Sequence, residues 1–258
     1  MQRRAFVKLI SAAGVGAPMV NLGFQQKLPS HLLTLSFDDG FKKSFLKTAD
    51  IYEQYELSAC FNVIASGHFP GFTSSSEAIN AFELGDFTTW NALVERGHEV
   101  MPHGWEHADL AKLPLDEAKI RIDQCINYFK EHLKGFDPRQ AVFNFPYNSS
   151  TPEVEDYVLT KVGALRTIGN PVNPLPSAGL RKLYCASMGP DNIDEWLDGT
   201  VNEFLEGPSG WMIINTHGLD EEGWGPMTSP YLDNLLSRLV KIEHLEMLPV
   251  AKALQKYA

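Results

Sequence analysis

From residue 28 onward, short apolar runs alternate with longer stretches whose apolar positions recur every three or four residues. Runs at 32–37, 59–64, 98–101, 141–145, 164–168, 183–187, 211–215 and 245–248 have strand length and read as short β-like segments, those at 32–37 and 211–215 the most apolar. Between and after them, helical periodicity is predicted over 45–55, 88–96, 116–133, 152–162, about 191–205, 230–241 and 249–257. The clearest is 116–133, where Ala118, Ile122, Cys125, Ile126, Phe129 and Leu133 fall on one face. Gly97 and Gly163 close two of these helices, and residues 65–85 read as a Gly/Ser/Pro-rich loop. Repeated strand–helix alternation with seven or eight strands predicts a parallel α/β architecture. Pattern alone leaves barrel and open sheet undecided.

The length of 258 residues fits one barrel domain, and 44% hydrophobic with 21% charged residues is globular. A net charge of −10 repels nucleic acid and anionic lipid, and it suits a neutral substrate or one that becomes cationic on cleavage. Cys60, Cys125 and Cys185 form no CxxC pair and no even-numbered disulfide framework. Segment 1–27 stands apart, because Arg3, Arg4, Lys8 and Lys27 are accompanied by no acid. Adjacent arginines ahead of the charge-free run 9–24 resemble a twin-arginine export signal. Gly14, Gly16, Pro18 and Asn21 interrupt that run too often for a stable membrane span. The expected organisation is an export signal at 1–27 and one folded domain at 28–258, working in the periplasm, the cell envelope or outside the cell.

The candidate chemistry sits where strands end. The first strand runs into Asp38-Asp39-Gly40, the third into His103-Gly104-Trp105-Glu106-His107, the fourth into Pro146-Tyr147, and 211–215 into Thr216-His217-Gly218. In parallel barrels the carboxyl ends of the strands face one pocket, so these groups are expected to converge. His103 and His107, four residues apart, can present both imidazoles to zinc or a neighbouring divalent ion. Glu106 sits before the second histidine, where it cannot serve as the base of an HExxH site. An open catalytic site needs one more protein ligand, and either Asp38 or Asp39 can supply it while the other takes a proton from water.

With these residues in order, the chain resembles the polysaccharide deacetylases (NodB homology domain, carbohydrate esterase family 4). Leu35-Ser36-Phe37-Asp38-Asp39-Gly40 resembles the family's first motif, and residues 55–63 its second strand. Residues 97–100 with His103 and His107-Ala108-Asp109-Leu110 resemble the metal motif and its approach. Phe143-Asn144-Phe145-Pro146-Tyr147 resembles the third motif and Ile213-Ile214-Asn215-Thr216-His217 the last, so the resemblance spans roughly 30–220. It implies a distorted (β/α) barrel of about seven strands, of the glycoside hydrolase/deacetylase type. It also implies removal of N-acetyl or O-acetyl groups from a glycan or acetylated oligosaccharide with one divalent metal ion, zinc first and cobalt or nickel next. By similarity Asp38 is the general base, and Asp39, His103 and His107 are the metal ligands. His217 is the general acid, and the backbone amide of Tyr147 helps to hold the oxyanion. Trp105 and Trp224 are candidates for stacking on a sugar ring.

Three positions depart from the family pattern. Asn144 stands where an arginine usually braces the catalytic aspartate, and Gly104 where Ser or Thr usually follows the first histidine. No fourth motif is found, since residues 191–196 read as a helix start, which leaves the partner of His217 unidentified. If Asn144 leaves Asp38 without a neighbouring cation, activity is expected to fail on the acid side at a higher pH than in arginine-bearing relatives. Arg166 and Arg181 on neighbouring strands are the cations that can replace it. Two other readings stand beside the deacetylase: hydrolysis of a small cyclic amide or ureide on the same scaffold, and a catalytically silent carbohydrate-binding relative.

Overall fold

The computed structural model describes residues 29–257, so the expected export signal lies outside the described residues. The chain order is β1 (His31–Phe37), α1 (Lys42–Glu53), β2 (Cys60–Val63), α2 (Glu77–Asn80), α3 (Phe87–Glu95), β3 (Glu99–Pro102), α4 (Leu115–His132) and β4 (Val142–Asn144). It continues with α5 (Pro152–Lys161), β5 (Ala164–Ile168), β6 (Val172–Asn173), β7 (Lys182–Cys185), α6 (Asp194–Glu206), β8 (Gly210–Thr216), α7 (Ser229–Leu239), β9 (Leu245–Met247) and α8 (Val250–Tyr257).

β1 is the central strand and is buried along its whole length, which is why its sequence carries no alternation. It pairs in parallel with β8 along all seven residues, with β2 at its carboxyl end and with β9 at its amino end. β2 continues to β3, while β4, β5 and β7 form a second parallel ladder. A single parallel bridge, Ala186 to Ile214, joins β7 to β8. Across the other seam no ladder forms between β3 and β4. Instead the Asn144 amide donates to the Pro102 carbonyl at 3.4 Å, and the His103 ring bonds the Asn144 carbonyl at 3.0 Å. Seven parallel strands (β1 to β5, β7 and β8) thus make a barrel distorted at two seams, with β9 added in parallel at the amino end of β1 and β6 antiparallel on β8.

Helices wrap the outside. On α4 the predicted face Ala118, Ile122, Cys125, Ile126 and Phe129 is buried, each large side chain contributing about 1.5–3 kcal/mol of transfer free energy. Trp90 and Phe45 close over β2, where Phe45 stacks on Phe61 at 4.6 Å. The three cysteines are free and buried. The sequence pattern shows neither α2 nor the two-residue β6, both too short to carry a period, and a histidine just ahead of the first apolar run is expected at the surface. His31 is instead buried at the start of β1, edge-on to Phe204 at 4.9 Å.

Candidate active site

The carboxyl ends of the strands converge, as the strand-end residues require, on one cavity of about 390 Å3. Adjacent residues of a strand point to opposite faces, so Asp38 and Asp39 can share a cavity only if the backbone turns between them. It does: Asp39 takes the left-handed conformation (φ 79°) and Gly40 follows at φ 95°. His107 (φ 56°), Tyr147 (φ 58°) and Asn148 (φ 50°) are in the same region. Such strained non-glycine residues cluster where side chains must be aimed into a site. Gly104 answers to the same constraint, with φ 79° and space so tight that a Cβ would lie 2.9 Å from Pro146 Cγ. That is why no Ser or Thr stands there.

Asp39 Oδ1 lies 3.3 Å from His103 Nε2 and 3.2 Å from His107 Nε2. The three side chains are buried and form the one metal-competent cluster found among the described residues. Their donor set fits a zinc-like ion on four counts. Bonds of ~2.0–2.1 Å in tetrahedral geometry put ligand atoms about 3.3 Å apart. The Asn144 carbonyl can only accept, so His103 carries its proton on Nδ1 and turns the Nε2 lone pair to the site. Burial pushes the His107 pKa down to about 4, which leaves it neutral at physiological pH. Burial alone would raise Asp39, but the imidazoles of His107, His103 and His217 hold it below the usual carboxylate range.

Asp38 is braced from below. Asn62 donates to its Oδ1 at 2.7 Å, Arg166 Nη1 donates to the same oxygen at 3.0 Å, and Arg166 Nη2 donates to Oδ2. Arg166 lies on β5 and is fully buried in the barrel interior. Burial would raise the Asp38 pKa, but the Arg166 guanidinium, with His103 and His217, brings it below its ordinary value. The expectation of a missing cation at Asp38 is therefore corrected: the charge comes from β5. Asn144 occupies the third-motif position, but its side chain donates to Asn62 Oδ1 at 2.7 Å and to the Val142 carbonyl at 3.0 Å. It orients the amide that holds Asp38 and does not line the cavity. Arg181 lies elsewhere, bonded to the carbonyls that end α5.

His217 follows β8 beside Asp38, whose backbone N–H bonds the Thr216 carbonyl at 2.9 Å. Its ring is edge-on to Trp224 at 5.5 Å, and its Nδ1 has no hydrogen-bond partner among the described residues. Residues 191–196 do not approach it, for Asp194 instead holds the backbone N–H and hydroxyl of Thr228 ahead of α7. Trp224 lines the cavity mouth and is 37% exposed. Tyr147 lies over His107 with ring centroids 4.5 Å apart, its hydroxyl 2.6 Å from Ser75 Oγ. Trp105 is off the cavity, packed edge-on to Phe69 and Tyr128 at 5.6 and 5.5 Å. Sequence reasoning passed over Asn148 and Asn215, which also line the cavity. Asn215 was within sight: it stands two residues before His217, on the same face of the strand.

A family model described as polysaccharide deacetylase matches residues 25–164, more than half of the chain. No curated protein sequence matches significantly. Among solved structures, a Mycobacterium smegmatis protein assigned to the polysaccharide deacetylases superposes with TM-score 0.66 at 13% identity, covering 97% of each chain. Peptidoglycan deacetylase PdaC from Bacillus subtilis gives 0.53 at 16% identity, covering 87% of this chain and 90% of that one. BA3943 from Bacillus anthracis, described as a pseudoenzyme of carbohydrate esterase family 4, gives 0.55 at 12%, covering 88% and 66%. At these identities the superpositions speak for the shared fold. With the matched motifs and the common barrel, this chain belongs to the polysaccharide deacetylase family, the NodB-type hydrolases of carbohydrate esterase family 4.

Proposed function

We propose that residues 28–258 form a single metal-dependent deacylase that removes acetyl groups, N-linked or O-linked, from an extracytoplasmic glycan. The observation that carries this reading is one buried cavity holding the Asp39, His103 and His107 triangle, with Asp38 fixed beside it and His217 on the adjoining strand. Asp39, His103 and His107 would hold one divalent ion, zinc by donor chemistry. When bound, such an ion supplies Lewis acidity toward the scissile carbonyl and makes water a better acid. Asp38 is held ionised by Arg166, so it is in the right state to take the proton of the attacking water. By the family resemblance, the Tyr147 backbone N–H would help to hold the tetrahedral oxyanion. His217, protonated, delivers a proton to the departing nitrogen or oxygen. Trp224 at the mouth offers an aromatic face to the sugar.

A silent carbohydrate-binding relative is the competing reading, since one structural neighbour is described as a pseudoenzyme. The complete set of base, brace, acid and ligands favours turnover here. The test is acid release from acylated chitin, peptidoglycan and xylan fragments with zinc, cobalt or nickel. Release above the metal-free and Asp38→Asn controls supports the deacylase, and binding without release supports the silent relative.

Metal binding has its own expected outcome. Purified protein should titrate with about one divalent ion per chain, and His103→Ala or His107→Ala should weaken affinity strongly while leaving the circular dichroism spectrum unchanged. Protons compete with the ion for the imidazoles. Because burial lowers His107 to about 4, binding should persist to about pH 5 and be lost as the pH falls through 4. A metal content near zero that titration does not restore would remove the assignment.

The location is proposed from segment 1–27. Changing Arg3 and Arg4 together to Lys should retain the protein in the cytoplasm of its host, because the guanidinium pair is the receptor-read feature. Fractionation that still finds the variant outside would transfer the segment to another route.

A further inference from the structure

The family pattern gives acetyl as the group removed; which acyl groups this cavity prefers is a further question, and its answer rests on the deacylase reading. In a hydrolysis at this site the leaving nitrogen must lie toward His217 and the sugar toward the mouth, where Trp224 stands. The substituent on the acyl carbon then points the other way, down the barrel axis. What it meets is set by the register of β1 and β8. Asp38 and His217 form the upper layer, and Ser36 pairs with Asn215 one pleat lower. The floor beneath the reacting carbon is therefore Asn215, joined by Asn148. They are 2% and 6% exposed.

Hydrogen bonding fixes how these two amides are turned. Arg166 can only donate, and its Nη2 lies 3.2 Å from Asn148 Oδ1. The same oxygen faces the Cys185 thiol at 3.3 Å. Asn148 Nδ2 must then face Asn215, and it donates to Asn215 Oδ1 at 2.9 Å. Asn215 Nδ2 is left to donate to the Thr216 carbonyl at 3.2 Å. Each amide nitrogen thereby uses one of its two hydrogens, and Asn215 Oδ1 keeps a lone pair. The Ser187 hydroxyl adds a further polar group to the lining, and none of the described residues that line the cavity is aliphatic. A methyl group pressed onto this floor would displace water from groups it cannot bond. A hydroxymethyl group can both accept from an amide N–H and donate to Asn215 Oδ1.

We propose that the floor formed by Asn148 and Asn215 selects a hydroxylated two-carbon acyl group, so that N-glycolyl amino sugars are hydrolysed in preference to N-acetyl ones. Water adds to the amide carbonyl and forms the new C–O bond, the tetrahedral adduct collapses with cleavage of the C–N bond, the departing nitrogen takes a proton to give the free amine, and glycolate is released. Sites that bond a substrate hydroxyl reject the analogue lacking it far more strongly than apolar pockets reject a missing methylene. Asn215 is accordingly a specificity residue, acting on the acyl substituent and not on the reacting bond.

The test pairs turnover with binding on metal-loaded protein. N-glycolyl and N-acetyl glucosamine oligosaccharides of equal length are supplied in competition, and released glycolate and acetate are quantified. The glycolyl substrate should be favoured in kcat/KM by about tenfold or more. Asn215→Leu should lower that ratio by a similar factor, with Asn215→Ala as a milder variant and thermal melting as the control for folding. Separately, glycolate should bind more tightly than acetate by calorimetry, and Asn215→Leu should erase the difference. Equal or acetyl-favouring turnover by the wild type, or equal affinity for the two acids, overturns the proposal. Preferential glycolate binding that Asn215→Leu erases, with neither substrate cleaved, would support the floor while refuting the deacylase reading beneath it. A preference that survives Asn215→Leu would place the hydroxyl on the metal and overturn the proposal.

Discussion

Replacing Asp38 by Asn is expected to lower turnover by about 10³–10⁴-fold while the protein still holds its metal, whereas Asp39→Asn should lose both. The two carboxylates are adjacent in sequence and share a cavity, but their surroundings differ. Asp39 Oδ1 faces two imidazoles at 3.2 and 3.3 Å and nothing else bonds it, as suits a ligand atom. Asp38 is held by Asn62 and by both Arg166 Nη atoms, and its nearest approach to His103 Nε2 is 3.7 Å. An amide at position 38 keeps the shape but cannot take a proton from water. It also leaves the buried Arg166 without its counter-charge, a loss that costs on the order of 3–5 kcal/mol. A lowered melting temperature at neutral pH should therefore accompany the loss of activity. The measurements are kcat and metal content of each variant. If Asp38→Asn lost the metal and Asp39→Asn retained it, the two roles would be exchanged.

Much of this arrangement could be read before any coordinates. Strand ends carry the chemistry because parallel strands share one polar mouth: Asp38, Asp39 and His217 follow strongly apolar runs, and His103 and His107 follow the short strand-like stretch 98–101. The strand-end residues were sound markers for a second reason. Charged groups are costly in an apolar interior, so carboxylates and imidazoles directly after such runs mark a site. Tryptophans carry no such marker. Trp105 and Trp224 are equally apolar in sequence, and only the packing of loop on loop sends one onto Tyr128 and the other to the cavity mouth.

The departure at Asn144 misleads for a different reason, because the constraint belongs to a group of side chains and not to a single position. A buried guanidinium must reach Asp38 from somewhere in the barrel interior, and β4 and β5 are adjacent with Asn144 paired to Arg166 in register. An arginine on either strand can meet the requirement. With Arg166 present, the place on β4 is filled by a smaller donor that orients Asn62. The sequence offers Arg166 and Arg181 alike as replacements, and periodicity cannot choose between them; only the barrel brings Arg166 onto Asp38 and leaves Arg181 on the carbonyls that end α5. The burial of Arg166 is a property of the barrel, where it enters a polar network with Ser36, Asp38 and Asn148 above an apolar layer that includes Val142, Ala164 and Ile213.

Arg166→Met is accordingly expected to move the acid limb of kcat/KM upward by about 1–3 pH units, the worth of a guanidinium beside a carboxylate. In the wild type, burial pushes Asp38 up and Arg166 pulls it down, with the pull prevailing, so the base stays ionised below its ordinary range. Without the guanidinium, burial dominates and the carboxylate is protonated at a pH where the wild type still works. Stability should follow the same sign. The depressed wild-type Asp38 stabilises the fold above its unfolded pKa and ceases to do so as the pH falls through its folded one. In Arg166→Met an unpaired buried carboxylate destabilises the protein at neutral pH by about 3–5 kcal/mol, and protonation relieves it, so the gap between the two proteins should narrow in acid. Arg166→Lys keeps the charge but not the two-pronged contact, and should lie between them. Asn144→Arg should leave the limb where it is, since the cation's place is taken, and should only destabilise by removing the bond to Asn62. The experiment is a pH–rate profile for each variant with urea melts at matched pH. An acid limb unmoved in a folded Arg166→Met would mean that the limb reports another group, and Asp38 would have to give up its place as the base.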